Sequence, residues 1–393
     1  MTTTAPAETV DTEVHRAAFS YVFAVYLLAA TSETLISPLY PLVRRDLHLA
    51  ASQQATLTAV LTICIATCNV IGGMVGYRGG DRKVIRAAAA GLALGGLISG
   101  AAQSYGALLG GQVLIGCGSG LFWASGMATV GRMYIRKRGR AVATYGLAYS
   151  AGLGVAAFAG DLGVSYWRWA FYATAVASAG LAIVVPKLQD AEPGPAGGTW
   201  QSLRVSLRES LYRMSLITAL VAGMSNYILL GFAPLLFTER GAKLSLIATL
   251  IGVGRVVSAF GKYGAGWLID RIGGPVSGIA LMVGIGVLGL PLFLLPTTAA
   301  APFVIPLLTV SAGLFTVSNI LSVQALPSRS TFSLGVYRSI LVAFSAVLSG
   351  LVALLLHVMT LREIMLVSLV VPAIASAALF RALRNSPPKA TTT

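Results

Sequence analysis

Charge is what this chain lacks most. Among 393 residues, Asp, Glu, Lys and Arg make up 10%, against roughly 25% in an ordinary soluble domain, which excludes a water-soluble globular enzyme. Only 13 residues are acidic and three are histidine. Cysteine is almost missing: Cys64, Cys68 and Cys117 form an odd set inside apolar stretches, so they give no disulfide framework and read as small packing residues. There is no H-E-x-x-H zinc motif, and His15, His48 and His357 all fall near predicted ends or tails. Gly261 and Lys262 lack the glycine spacing and the following Ser or Thr of a phosphate loop. No cofactor or metal is therefore expected, and any accumulation would draw on an ion or substrate gradient.

Apolar residues, at 56%, and 44 glycines fill the space that charge leaves. The glycines lie inside apolar runs without a triplet period, as close helix contacts require. A membrane-crossing helix takes about 20 apolar residues, so the chain has room for about twelve and for little else. The formal charge of +15 does not indicate a nucleic-acid partner, because the 28 Lys and Arg are scattered singly instead of forming one basic face. The opening MTTTAPAETVDTEVHR is polar, and the apolar run after it is too long for a signal peptide and shows no cleavage pattern, so the first span is expected to persist.

Apolar runs between charged or Pro/Gly breaks place spans near 18–42, 53–77, 84–104, 106–131, 141–163 and 167–186, then near 214–238, 244–269, 276–296, 302–325, 333–356 and 363–383. With both termini on one side, that side receives nineteen Lys and Arg and the other six. Positive charge favours the cytoplasm, so both termini are expected there. Between the halves, QDAEPGPAGG forbids regular structure. Beyond it Trp200, Leu203, Leu207 and Leu211 recur at helical spacing with Arg204 and Arg208 one turn apart, which fits either a short interfacial helix or a solvated linker. The expected organisation is a tail over 1–16, a six-helix bundle over 17–187, a linker over 188–213, a second bundle over 214–385 and a tail over 386–393.

The halves repeat. Gly73, Val75, Tyr77, Arg78 and Gly80 of GMVGYRGG correspond to Gly266, Leu268, Asp270, Arg271 and Gly273 of GWLIDRIGG, each pair 193 positions apart. Both copies sit where an even-numbered span meets a short cytoplasmic loop. The glycines permit close helix packing, and the arginines can cap helix carbonyls or pair with carboxylates.

On these residues the sequence resembles the major facilitator superfamily, whose signature between spans two and three runs roughly G-x-L-A-D-R-x-G-R-K and recurs between spans eight and nine. The resemblance implies an all-α membrane protein with twelve transmembrane helices in two pseudo-symmetric six-helix bundles, a substrate cavity between them and alternating access. It assigns a cytoplasmic gate motif to Gly73, Arg78, Gly80, Asp81 and Arg82 in the first half and to Gly266, Asp270, Arg271 and Gly273 in the second. The first copy departs from the pattern, since Tyr77 stands at the acidic position although Arg82 and Lys83 remain. Gln112 stands where many members carry an arginine in span four, and GLGVAAFAG in span five has no proline.

Ionisable groups within spans are costly and are functional candidates. Glu33, the one carboxylate deep in a span, is the candidate proton or cation site, with a static ion pair as the alternative. Arg255 in span eight is expected at similar depth and is a candidate counterion or anion-binding group. Lys262 and Arg338 either line the inner cavity or snorkel to the interface. Asn226 and Tyr227 in span seven, Asn319 in span ten, Gln112 in span four, and Ser32 and Ser37 are polar candidates, for each of which an interhelical hydrogen bond competes with substrate contact. Trp123, Phe122, Tyr145 and Tyr149 are aromatic candidates, with Trp123 foremost. Asp161 and His357 fit ordinary placement near outer span ends.

The reading is a monomeric secondary active transporter of a prokaryotic-type inner membrane, exporting a small organic compound with proton coupling. Export rests on a resemblance to the drug-exporter branch, chiefly at SPLYPLVRRDLHL after span one. The alternative is uptake or exchange of a small organic anion, suggested by Arg255, Lys262 and Arg338 outnumbering Glu33. A membrane-embedded enzyme, a channel or a transport-inactive sensor are the rivals. The expected partners are a small-molecule substrate, the lipid bilayer and protons.

Overall fold

A computed structural model of the chain describes residues 5–49, 51–134, 138–161, 167–186, 188, 199–230, 236–237, 240–241, 244–325, 330–355 and 357–384. They form helices and short turns, with no strand among the described residues. The helices are α1 (Ala5–Asp46), α2 (Ala51–Val75), α3 (Asp81–Ala101), α4 (Tyr105–Met133), α5 (Arg138–Asp161), α6 (Trp167–Ile183), α7 (Thr199–Arg208), α8 (Ser210–Met224), α9 (Leu244–Ile272), α10 (Gly274–Gly289), α11 (Val304–Ala325), α12 (Ser330–Leu355) and α13 (Leu361–Arg384). With α7 set aside, these twelve fall on the twelve expected spans. The protein is an all-α membrane protein. Seven helical stretches among the described residues are long and apolar enough by themselves to cross a bilayer.

Local chemistry sets several of the helix ends. Ser104 opens α4 by accepting from Ala107 N at 3.3 Å. Thr360 and Glu363 form a reciprocal box at the start of α13: Thr360 N donates to Glu363 Oε2 at 2.7 Å, and Glu363 N donates to Thr360 Oγ1 at 3.3 Å. Gly273, at φ +84°, ends α9 in a conformation that a side chain would strain, and a proline in the first turn of α10 then restarts the chain. The sequence reading placed the end of the ninth span near 296, and the apolar helical stretch runs Gly274–Leu294, interrupted only at Leu290, where Pro291 lacks the N–H that would continue the ladder. Helix α1 begins at Ala5, well before its apolar run, because helix and apolar span are different quantities. Two five- to six-residue π-helical turns, Gly76–Gly80 after α2 and Ser225–Leu230 after α8, were not foreseen.

The chain divides into two units. Unit 1 holds residues 1–206 together with 326–342, and unit 2 holds 207–325 with 343–393, so the first half of α12 belongs to unit 1. In unit 1, α4 packs on α2 and α3, α3 on α6, and α1 on α4 and α5. In unit 2, α11 packs on α9 and α10, α10 on α13, and α8 on α11. Four of these five pairings recur at corresponding positions, as the sequence repeat implies, whereas the α1–α5 pairing has no α8–α12 counterpart among the described residues. Glycines allow the closest approaches: a Cβ on Gly116 or Gly120 of α4 would collide with Leu61 O or Ile65 O of α2. Cys64 and Cys68 flank those glycines, and all three cysteines are free. The helix expected after the glycine-rich linker forms as α7, but it ends at Arg208, so Leu211 belongs to α8. The linker residues 189–198 lie outside the described residues.

Candidate functional site

The ionisable and aromatic residues of unit 1 converge. On α1, Tyr26 and Glu33 are seven residues apart, which sets them on one helical face. Helix α4 contributes Ser119, Phe122 and Trp123, α5 contributes Tyr145 and Tyr149 one turn apart, and α12 contributes Tyr337 and Arg338. The Tyr26 and Tyr145 rings stack at 4.4 Å between centroids and 17° between planes, and Tyr149 lies 5.5 Å from Tyr26. Trp123 Nε1 donates to Tyr26 Oη at 3.1 Å, and the Trp123 ring stacks on Tyr337 at 6.1 Å. Hydrogen bond and rings together fix the indole.

Arg338 lies over that indole, with Cζ 5.2 Å from the ring centroid. Guanidinium on an aromatic face is held electrostatically and by stacking. The carboxylate of Glu33 feels the Arg338 charge and neighbours the Ser119 hydroxyl. Among the described residues of unit 1, Arg338 is the cation whose charge acts on Glu33. Trp123 is 4% exposed and Tyr145 and Tyr337 are fully buried, whereas Glu33, Tyr149 and Arg338 keep part of their surface open. Three buried polar atoms at this centre, Ser119 Oγ, Tyr145 Oη and Arg338 Nε, have no hydrogen-bond partner. The arrangement offers a carboxylate, a cation and several aromatic faces within one bundle, a set suited to binding and charge exchange.

In the first loop copy Tyr77 stands within the π-helical turn Gly76–Gly80, and Asp81 follows it as the first residue of α3. Asp81 is fully buried and pairs with Arg132 at the end of α4 at 2.5 Å, with Thr331 Oγ1 of α12 at 3.5 Å. Gly73 lets the α2 backbone approach Thr331 and Phe332. Arg78 is exposed. Arg82 Nη2 donates to Val185 O and Arg86 Nε to Ala182 O, both at 3.1 Å, so these two arginines cap the end of α6. In the second copy Gly266 is buried, Asp270 is exposed, and Arg271 lies 4.1 Å over the Trp267 ring.

The remaining candidates spread out. Gln112 is fully buried and donates to Ser99 Oγ at 3.3 Å, joining α4 to α3. It lies eleven residues, or about 16 Å, along the helix from Trp123. Asn226 donates to Ser311 Oγ at 2.6 Å and so ties α8 to α11. Asn319 and Lys262 are half-buried in unit 2, and Arg255 is exposed there, its carbonyl accepting from Ser258 Oγ at 2.7 Å. The Tyr227 side chain lies outside the described residues. Reasoning from sequence missed Tyr26, Tyr337, Thr331 and Arg132. A seven-residue spacing marks Tyr26 beside Glu33, and adjacency to Arg338 marks Tyr337, but nothing local marks Thr331.

At the other end of unit 1, Trp167 Nε1 donates to Asp46 Oδ2 at 3.1 Å and Arg168 Nη2 to the same oxygen at 2.9 Å, while Arg168 Nη1 also donates to Gly100 O and Ala102 O. The Trp167 hydrogen bond, then Arg168, holds the Asp46 carboxyl below its ordinary range. This cluster joins the ends of α1, α3 and α6.

Comparison with known proteins agrees with this construction. The Major Facilitator Superfamily model matches residues 22–349. Among solved structures, the E. coli fucose:proton symporter FucP is similar at a TM-score of 0.77 with 13% identity, covering 95% of this chain and 100% of that one. The proton:xylose symporter XylE, bound to 6-bromo-6-deoxy-D-glucose, gives 0.71 with 13% identity, covering 94% and 96%. The human organic anion transporter MFSD10 gives 0.71 with 18% identity, covering 93% and 99%. Among curated proteins, the puromycin resistance protein pur8 of Streptomyces alboniger is 27% identical over 158 residues, which are 39% of this chain and 31% of that protein. The chain spans about a third of the length of that relative.

Proposed function

The chain belongs to the Major Facilitator Superfamily, and from that premise we propose a secondary active exporter of a small organic compound, driven by proton exchange at Glu33. A multi-pass membrane transporter, not an enzyme, is what membership establishes. The observation that carries the finer reading is Glu33 facing Arg338 beside the Trp123 indole. A carboxylate inside the membrane is costly unless something uses it or balances it. Here a proton, Arg338 and a positively charged ligand group would compete for one carboxylate, and such competition is what links substrate movement to proton movement. Resistance to a drug in the curated relative's name supports the outward direction.

Alternating access would then expose this centre to each side in turn, with the Asp81–Arg132–Thr331 cluster and the second copy at Asp270 as the cytoplasmic gate. The bundles are assigned to 17–187 and 214–385, both termini to the cytoplasm of an inner membrane, and the working unit to a monomer. The second reading, uptake or exchange of an organic anion, is favoured by Arg338 Nε, a buried donor that awaits an acceptor.

Purified protein in liposomes with an internal pH dye tests the choice. Against a panel of lipophilic cations and organic anions, the exporter reading expects substrate and protons to move in opposite directions. Movement in the same direction, or substrate flux without protons, contradicts it and favours the second reading.

A further inference from the structure

We infer that α7 is a docking surface for anionic phospholipid headgroups, and that lipid held there braces the start of α12 beside the Asp81–Arg132–Thr331 cluster. The surface stands apart from the Glu33 centre. Only the word gate for that cluster comes from the transport reading above.

The argument begins with one buried hydrogen bond. Ser206 of α7 and Ser333 of α12 meet Oγ to Oγ at 2.9 Å, and both residues are fully buried. Ser333 is the fourth residue of α12 and the first of the apolar run expected for the eleventh span. This contact therefore holds α7 against the place where a span enters the hydrocarbon, at the depth of the headgroups.

With Ser206 turned inward, the rest of the helix follows from its period of about 100° per residue. Val205 and Leu207 fall on the two flanks, and they are 42% and 40% exposed. Arg204 and Arg208, two residues to either side of Ser206, come round to the opposite face, about 160° away, and both are exposed. No acidic residue stands within Thr199–Arg208, and the nearest one in sequence, Glu209, follows the helix and is half-buried. The helix thus shows a docked face, two exposed aliphatic flanks and a cationic back. In a headgroup layer the flanks reach glycerol and the upper acyl chains while the guanidiniums fork onto phosphate oxygens. A zwitterionic headgroup carries its own cation, so the net-anionic class is the one that this surface selects.

The stretch of α12 that α7 touches is the stretch that closes on α2 and α3. Thr331 Oγ1 donates to Asp81 Oδ2 at 3.5 Å, the Phe332 ring lies 6.4 Å from Tyr77, and Gly335 allows the close approach of Asn69 O. A lipid that holds α7 better when Ser206 is docked stabilises Ser333 and, with it, Thr331 two residues away.

Hydrogen exchange of the full-length protein in nanodiscs, without substrate or gradient, tests this. Discs of phosphatidylcholine alone are compared with discs that also contain phosphatidylglycerol. In the anionic discs the amides of α7 and of residues 330–339 should exchange at least about threefold more slowly. The double variant Arg204→Gln/Arg208→Gln should lose both effects, and Ser206→Ala should keep the first and lose the second. Equal exchange of α7 in the two kinds of disc, or an undiminished lipid effect in the double variant, overturns the inference. Slowing of α7 without slowing of 330–339 overturns the brace, and equal slowing by inorganic phosphate in phosphatidylcholine discs overturns the choice of a lipid. The wild-type comparison decides even where a variant fails to fold. Because nothing is transported in this measurement, failure of the exporter reading leaves it standing, and coupled transport with no lipid effect sinks this inference alone.

Discussion

In unit 1 the helices α1, α4, α5 and α12 meet over Glu33, Arg338, Trp123 and a group of tyrosines, whereas in unit 2 the helices α8, α10, α11 and α13 meet over Met214, Leu229, Met282, Ile285, Leu314 and Met365. Most of the helix pairing is the same in both, the α1–α5 contact being the exception among the described residues. The in-span cations of unit 2, Arg255 and Lys262, stand on α9 and take no part in that apolar cluster. Duplication thus preserved a packing plan and not an interior. One copy of the plan is free to carry charge because its rings and hydrogen bonds hold the charged groups in place, while the other gains its stability from aliphatic burial. The loop copies divide in the same way: Asp81 is buried and paired, and Asp270 is exposed.

The loop copies give the largest test of this asymmetry. Asp81→Asn removes one partner from a buried ion pair whose arginine is only 18% exposed, and it should cost about 2–3 kcal/mol in unfolding measurements. Asp270→Asn, at an exposed position, should stay within about 0.5 kcal/mol. Equal losses would erase the distinction between the copies.

Next in size is the contrast between cations. Arg338→Gln should weaken substrate binding at least about tenfold, or about 1.4 kcal/mol, while Arg255→Gln should change it less than about threefold. The reverse order would move the binding centre to unit 2.

The smallest effect belongs to the Asp46 cluster. Its folded carboxyl titrates below the ordinary value of 3.8, so the stabilisation it provides is present above that pH and is lost as pH falls through the folded value. Asp46 is 49% exposed, which limits the effect to a few tenths of a kcal/mol. A thermal-stability profile between about pH 5 and pH 2 should show this step in the wild type and lose it in Asp46→Asn.

Hydropathy and the Lys and Arg distribution made the helices legible, since a bilayer allows few other ways to satisfy backbone polar groups. Glu33 was legible too, because a lone carboxylate in a span stands out on cost alone. Its neighbours were less legible: depth along a helix placed Arg255 and Glu33 at one level, whereas within unit 1 the cation whose charge acts on Glu33 is Arg338. Arg338 was expected either to line the inner cavity or to snorkel, and its place over the Trp123 ring could not be read from spacing along the chain. Asp81 was named in the gate motif, but its burial and its pairing with Arg132 and Thr331 could not be read from the motif. Gln112 and Asn226 drew notice as in-span polar groups, and both make the interhelical hydrogen bonds that competed with a substrate role from the start.

The most direct test is substrate-dependent proton flux through reconstituted liposomes containing the wild type, Glu33→Gln or Arg255→Gln. The account predicts that Glu33→Gln abolishes proton movement and that Arg255→Gln still moves protons. Undiminished proton flux in Glu33→Gln would contradict it.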